Sequence, residues 1–223
     1  MCGIAAIISG GPDIPDGAIE RMTARLTHRG PDAQACVKLS ACHLGHTRLS
    51  VLDLAGGSQP MTEEGERYWI AFNGEIFNYR ELRHELQQQG WHFRTQSDTE
   101  VLLRAYQAYG EKALSRLNGQ FAFVIWDQFE QRLFAARDRL GEKPLYWACT
   151  EHHFLLASEI KALLASQLLF PRIDRVSVEA YLGLLYVPPD RTIYENIHTL
   201  RPGHALSWKD GRWSQWAYWQ PVY

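Results

Sequence analysis

The apolar positions along this chain follow two different periods. Residues 3–8 are an unbroken apolar run closed by Ser9-Gly10-Gly11-Pro12, which predicts a buried strand followed by a turn. Ile19, Met22 and Leu26 then recur at helical spacing behind Asp16, which predicts a helix capped by that aspartate. A charged turn, His28-Arg29-Gly30-Pro31-Asp32, leads into candidate strands at residues 34–39 and 43–48. Residues 68–72 are strand-like and run into Asn73-Gly74-Glu75. A helix predicted over residues 79–89 stops at Gly90, and a second opens at Ser97-Asp98-Thr99-Glu100, runs to Tyr109 and stops at Gly110. The serine–glutamate spacing of that opening is a capping box, and glycine is the usual residue just past a helix end.

The chain then turns β-rich. Segments 121–126, 132–137, 145–148 and 154–157 are short, aromatic and separated by turn residues. Strands this close in sequence leave no room for a crossover helix, so successive ones are expected to pair antiparallel. Ser158 is expected to cap a short helix through Leu164. From Pro171 the character changes to one more helix over 177–185, then Pro188-Pro189 and a tail holding Trp208, Trp213, Trp216 and Trp219. Asp210-Gly211 in that tail reads as a hairpin turn. Strands early and late, with helices between, predict an α+β layered domain.

Composition narrows the function. With 223 residues, 46% hydrophobic and 22% charged, the chain can bury a sizeable core. A net charge of −2 gives no electrostatic footprint for nucleic acid or for an anionic membrane. There is no apolar run of spanning length and no secretory signal, and the four cysteines (Cys2, Cys36, Cys42, Cys149) contain no C-x-x-C pair. A reducing cytoplasm is the expected location. The nine histidines lack metal-ligand spacing, so no metal site is expected, and His28 is taken as a turn residue. Ser9-Gly10-Gly11-Pro12-Asp13 resembles a pyrophosphate-binding loop, but Pro12 removes a backbone donor and Ile14 replaces the second serine, so it is read as a turn.

Five positions carry candidate chemistry. Cys2 becomes the N-terminal residue if Met1 is removed, and then holds a thiol and a free α-amine on one carbon. That pairs a nucleophile with its own base; a chance cysteine is the plainer reading. Arg48, at the end of an apolar segment, can offer a bidentate fork to a carboxylate or simply be an exposed strand end. Asn73 and Gly74 can supply an amide and a backbone donor to an oxyanion, although Asn-Gly is also a common tight turn. Asp98 can grip an ammonium group or complement its helix dipole.

Taken together these blocks are more specific. Met1-Cys2-Gly3-Ile4, His28-Arg29-Gly30-Pro31-Asp32, Arg48-Leu49-Ser50, Gln59-Pro60-Met61, Phe72-Asn73-Gly74-Glu75, Ser97-Asp98-Thr99-Glu100, Gly119-Gln120-Phe121, Arg137-Asp138-Arg139-Leu140-Gly141-Glu142-Lys143-Pro144 and Ala157-Ser158-Glu159-Ile160-Lys161 occur in this order. The series resembles the glutaminase domain of the glutamine-hydrolysing asparagine synthetases, a class II amidotransferase with an N-terminal nucleophile. The likeness is dense from residue 1 to about 165 and looser beyond.

That resemblance implies a four-layer αββα sandwich of two mainly antiparallel sheets flanked by helices. It implies Cys2 as nucleophile, and Asn73 and Gly74 as the oxyanion hole. Arg48 would hold the α-carboxylate of glutamine and Asp98 its α-ammonium, with Glu75 assisting and main-chain groups of Leu49 and Val51 lining the pocket. Residues 1–165 are expected to be the glutaminase core, and 166–223 a helix, loop and Trp-rich exit strands leading to an ATP-dependent synthetase domain outside this chain. No cofactor is expected here, with ATP and Mg belonging to that other domain. The expected partners are glutamine and a synthetase domain in cis or trans; a homodimer is compatible with the sequence. A catalytically silent glutamine-sensing or assembly domain, or a glutaminase serving a different acceptor, are the competing readings.

Overall fold

A computed structural model describes residues 1–50, 53, 56–189 and 191–222. One sheet contains β1 (Gly3–Ser9), β2 (Ala33–Lys38), β3 (Cys42–Arg48), β8 (Tyr146–Cys149), β9 (His153–Ala157) and β10 (His198–Thr199), in the order β10-β8-β9-β1-β3-β2. The other contains β4 (Met61–Thr62), β5 (Tyr68–Ile76), β6 (Gly119–Asp127), β7 (Arg132–Arg137), β11 (His204–Lys209) and β12 (Arg212–Ala217), in the order β12-β11-β7-β6-β5-β4. All pairings between these strands are antiparallel.

Side-chain alternation explains the layering. In β1, Ile4, Ala6 and Ile8 join Leu44, Val124, Trp126, Leu133, Phe154 and Leu156 in the space between the sheets. The intervening Ala5 and Ile7 face the other way, onto Ile19, Met22 and Leu26 of the α1 region and Leu163 of α4, where α1 is Ala18–Ala24 and α4 is Ile160–Ala165. The unbroken apolar run of β1 is therefore the pattern of a strand covered on both faces. On the outer face of the second sheet, Phe72, Ile76, Phe123 and Phe134 meet Leu82 and Leu86 of α2 (Tyr79–Gln88) and Val101 and Leu102 of α3 (Asp98–Tyr109). Three apolar layers separated by two sheets make the four-layer αββα sandwich.

The C-terminal segment shares these sheets. β10 pairs with β8, and β11 pairs with β7, while Asp210 and Gly211, at φ of 50° and 74°, turn β11 into β12 as the Asp-Gly pair predicts. Trp208 is buried between the sheets and Trp216 packs on the outer core. The ring of Trp213 lies 4.4 Å from that of Trp147, tilted by 55°. α5 (Arg175–Leu184), by contrast, buries only Ser177.

Several local expectations are corrected. Asp16 does not cap α1: Gly17 occupies the N-cap, and no side chain caps that end. Ser158 lies one residue before the N-cap of α4, and its hydroxyl accepts from Ile4 N–H at 2.9 Å instead. β7 and β8 follow each other in sequence but belong to different sheets, because residues 138–145 carry the chain across the sandwich. Asn73-Gly74 is not a turn at all; it lies inside β5.

Candidate active site

Cys2 immediately precedes β1, at the end of the sandwich where β3 finishes. Its Sγ accepts a hydrogen bond from Leu49 N–H at 3.4 Å, and the thiol lies 3.7 Å from Leu49 O. Burial pushes the Cys2 thiol up, while the Leu49 N–H, the chain's N-terminal charge, Arg48 and Arg29 pull it down by less. A thiol held in its protonated form needs a base to react. Arg48 closes β3, 8% exposed, and its Nη2 donates to Asp53 O at 2.6 Å. Cys2, Leu49 and Arg48 form one wall of a cavity of about 200 Å³.

The facing wall comes from β5. Phe72 N–H donates to Gln59 Oε1 at 2.6 Å and Ile76 N–H to Asp98 Oδ2 at 3.0 Å. Alternate N–H groups of a strand point the same way, so Gly74 N–H, between these two, is also turned away from β6 and toward the cavity side. Its cross-strand neighbour Phe121 bonds in the opposite direction, to Asp138, through both N–H and O. The side-chain amide nitrogen of Asn73 is buried without a hydrogen-bond partner among the described residues. Gly74 also permits the strand to run here: a Cβ would lie 2.2 Å from Gln120 O and 2.7 Å from Phe121 Cα.

Asp98 is the first residue of α3 and only 4% exposed. The cap is Ser97, whose hydroxyl accepts from Thr99 N–H at 3.1 Å; Glu100 reaches back to the N–H groups of Arg94 and Thr95. Burial raises Asp98 to about 6, with nearby Glu75 adding to the effect and the N–H groups of Ile76 and Thr99 opposing it. An isolated buried carboxylate that is costly to ionise is suited to receiving a cation.

Cys2, Arg48, Leu49, Asn73, Gly74, Glu75 and Asp98 thus surround one cavity, whereas Val51 lies outside the described residues. Three further residues belong to this assembly. Gln59 holds the free edge of β5 and bonds Thr99 Oγ1 at 3.2 Å. Arg29 donates to Cys2 O at 2.9 Å and is held by Glu159 at 3.0 Å. Glu159 also binds His28 and Lys161, and these contacts outweigh desolvation to bring its carboxyl down to about 2. Lys143 lines the cavity from beyond β7. His28, read as a plain turn residue, is therefore a hydrogen-bond partner of Glu159, linked to Cys2 through Glu159 and Arg29. Among the described residues, no group of three His, Cys, Asp or Glu is arranged to hold a metal ion.

A glutamine amidotransferase domain model matches residues 1–219. The chain belongs to this family. The amidotransferase domain is 40% identical over 227 residues to asparagine synthetase [glutamine-hydrolyzing] 3 of Bacillus subtilis, covering 98% of this chain and 36% of that protein. It is 39% identical over 211 residues to asparagine synthetase [glutamine-hydrolyzing] 1 of the same organism, covering 93% of this chain and 33% of that protein. The chain therefore spans about a third of the length of these relatives. In fold the amidotransferase domain matches the glutamine phosphoribosylpyrophosphate amidotransferase of B. subtilis, with a TM-score of 0.73 at 21% identity over 99% of this chain and 50% of the other.

Proposed function

We propose that this chain hydrolyses the side-chain amide of glutamine to glutamate and ammonia through a thioester on Cys2. The reading is carried by one observation: a thiol, a buried unpartnered amide at Asn73 and an outward N–H at Gly74 meet at a single cavity. Cys2 Sγ attacks the carboxamide carbon, and the proton of the thiol passes by way of the α-amine to the departing nitrogen, which leaves as ammonia. Asn73 and Gly74 donate to the oxygen that becomes negative in between. Water then adds its hydroxyl to the acyl carbon and returns a proton to sulfur, releasing glutamate. Arg48 pairs with the α-carboxylate of glutamine and Asp98 with its α-ammonium, while Glu75 supports the ammonium side.

The α-amine is available only once Met1 is gone. Met1 is 55% exposed and lines the same cavity, so its removal both frees the base and opens space for substrate. A reducing cytoplasm suits the four free cysteines. The ammonia is used by an ATP- and Mg-dependent synthetase part of the kind that gives the relatives their greater length. The exposed apolar residues Tyr181, Leu182 and Leu184 of α5, with Leu185 beyond it, offer that part a place to pack.

Intact mass measured before and after incubation with a glutamine-mimicking diazoketone tests this reading. The expected result is a chain lacking Met1 that gains one adduct, lost in Cys2→Ala together with glutamate release. Retained Met1 without an adduct, or undiminished glutamate release by Cys2→Ala, would overturn it.

A further inference from the structure

Lys143 is a cavity residue that the reaction described above does not use. It is 9% exposed and lines the cavity with Cys2. Among the described residues its ammonium has no hydrogen-bond or ion-pair partner. Its placement is tightly built. The carboxylate of Asp138 accepts from the N–H groups of Phe121, Leu140, Glu142 and Lys143 at 2.9–3.2 Å. The guanidinium of Arg137 ties the carbonyls of Gly141, Lys143 and Leu200 at 2.6–2.8 Å. A loop fixed from inside and outside in this way delivers one side chain to one place.

That place can be located along the sheet. Asp98 lies off the free edge of β5, bonded to Ile76 N–H. Gly74 is on β5, Phe121 faces it on β6, and Lys143 shares Asp138 with Phe121. The backbone of Lys143 is therefore on the far side of Gly74 from Asp98, and the residue lines the cavity from there. A glutamine anchored by its α-groups at Arg48 and Asp98 directs its carboxamide toward Cys2 and Gly74, and hence toward the lysine.

Among the described residues nothing bonds the ammonium of Lys143, and in the proposed reaction both charges of the substrate already have partners. What remains is charge created by the reaction itself. A neutral carboxamide gains little from an ammonium group, whereas the tetrahedral oxyanion and the product carboxylate gain much. Resting on the glutaminase reading, we propose that Lys143 is a further catalytic residue, stabilising the negative charge that forms at the carboxamide end of bound glutamine. An interaction of this kind acts on kcat rather than KM.

The test compares Lys143→Met and Lys143→Arg, with Lys143→Gln standing in if the methionine variant does not fold, using the full chain with Met1 removed. Glutamate release from glutamine gives kcat and KM, and inhibition by added glutamate reads the carboxylate directly. K143M is expected to lower kcat about 10²-fold, near what loss of an oxyanion donor costs, with KM for glutamine little changed. Glutamate should inhibit it about tenfold more weakly, as one lost charge contact implies, and K143R should recover most of both. An unchanged kcat, a raised KM in place of a lowered kcat, or equal losses in K143M and K143R would overturn the role of the lysine. If the wild-type chain neither releases glutamate nor takes up the diazoketone, the glutaminase reading itself fails, and the lysine proposal with it.

Discussion

The substrate-binding role proposed for Asp98 conflicts with stability, and the conflict can be measured. Its carboxyl stands at about 6 in the fold against an ordinary 3.8. The fold therefore holds its proton more tightly than the unfolded chain does. Below pH 3.8 both states are protonated and the residue costs nothing. As pH rises through 6 the folded state must ionise a buried group, and the difference grows to about 3 kcal/mol at neutrality and above. Asp98→Asn keeps an oxygen to accept from Ile76 N–H but never ionises. At pH 8 it should be more stable than the parent by up to about 3 kcal/mol, or about 6–12 °C in Tm for a domain of this size. The gain should shrink toward zero by pH 4. Thermal unfolding of both proteins at pH 8 and pH 4, in a Cys2→Ala background so that glutamine is not consumed, gives all four values. Added glutamine should raise the Tm of the aspartate form and leave the asparagine form unmoved. An asparagine form no more stable at pH 8, or a gap of equal size at both pH values, would refute the argument.

Other predictions follow from the same geometry. Asn73→Ala should lower kcat by about 10²–10³-fold, equivalent to ~2.7–4 kcal/mol of barrier, with KM nearly unchanged, since in the proposed mechanism the amide serves only the developing oxyanion; steady-state glutamate release checks it. His46, 1% exposed and bonded through Nε2 to Phe72 O at 3.1 Å, is brought by burial from 6.5 down to about 4. Its contribution is therefore complete above pH 6.5 and is lost as pH falls toward 4, by about 3 kcal/mol. His46→Gln should flatten that part of the stability–pH curve in urea unfolding, and an unaltered slope would assign the acid sensitivity elsewhere.

Elements whose signal is local were legible in the sequence. The apolar run of β1, the helical stripe of Ile19, Met22 and Leu26, and the Asp-Gly hairpin each depend on neighbours a few residues away. Asn73-Gly74 misleads because its turn chemistry is overruled from a distance: Gln59 and Asp98 satisfy the strand's open edge, and Gln120 and Ala122 on β6 pair it from the other side. The crossing between β7 and β8 was hidden for the opposite reason, since segment spacing alone does not say which sheet a strand joins. Arg29, Gln59 and Lys143 have ordinary loop surroundings, and their partners lie far along the chain. What marked them was membership of the ordered motif blocks, although none of their three blocks contains a predicted site residue.

The position of β1 also bears on when the domain can become active. This strand lies between β3 and β9, and Ile4 is bonded on both its N–H and its O to Ser158, 154 residues further on. During synthesis the thiol-bearing end emerges first, yet one of its two neighbouring strands is made only when most of the domain has been translated. Until then the start of the chain lacks one flanking strand and is within reach of the aminopeptidase that the proposed mechanism calls for. On the proposed mechanism, removal of Met1 then precedes closure of the fold, and a ribosome stalled ahead of β9 holds Cys2 beside only one of the two strands that flank β1.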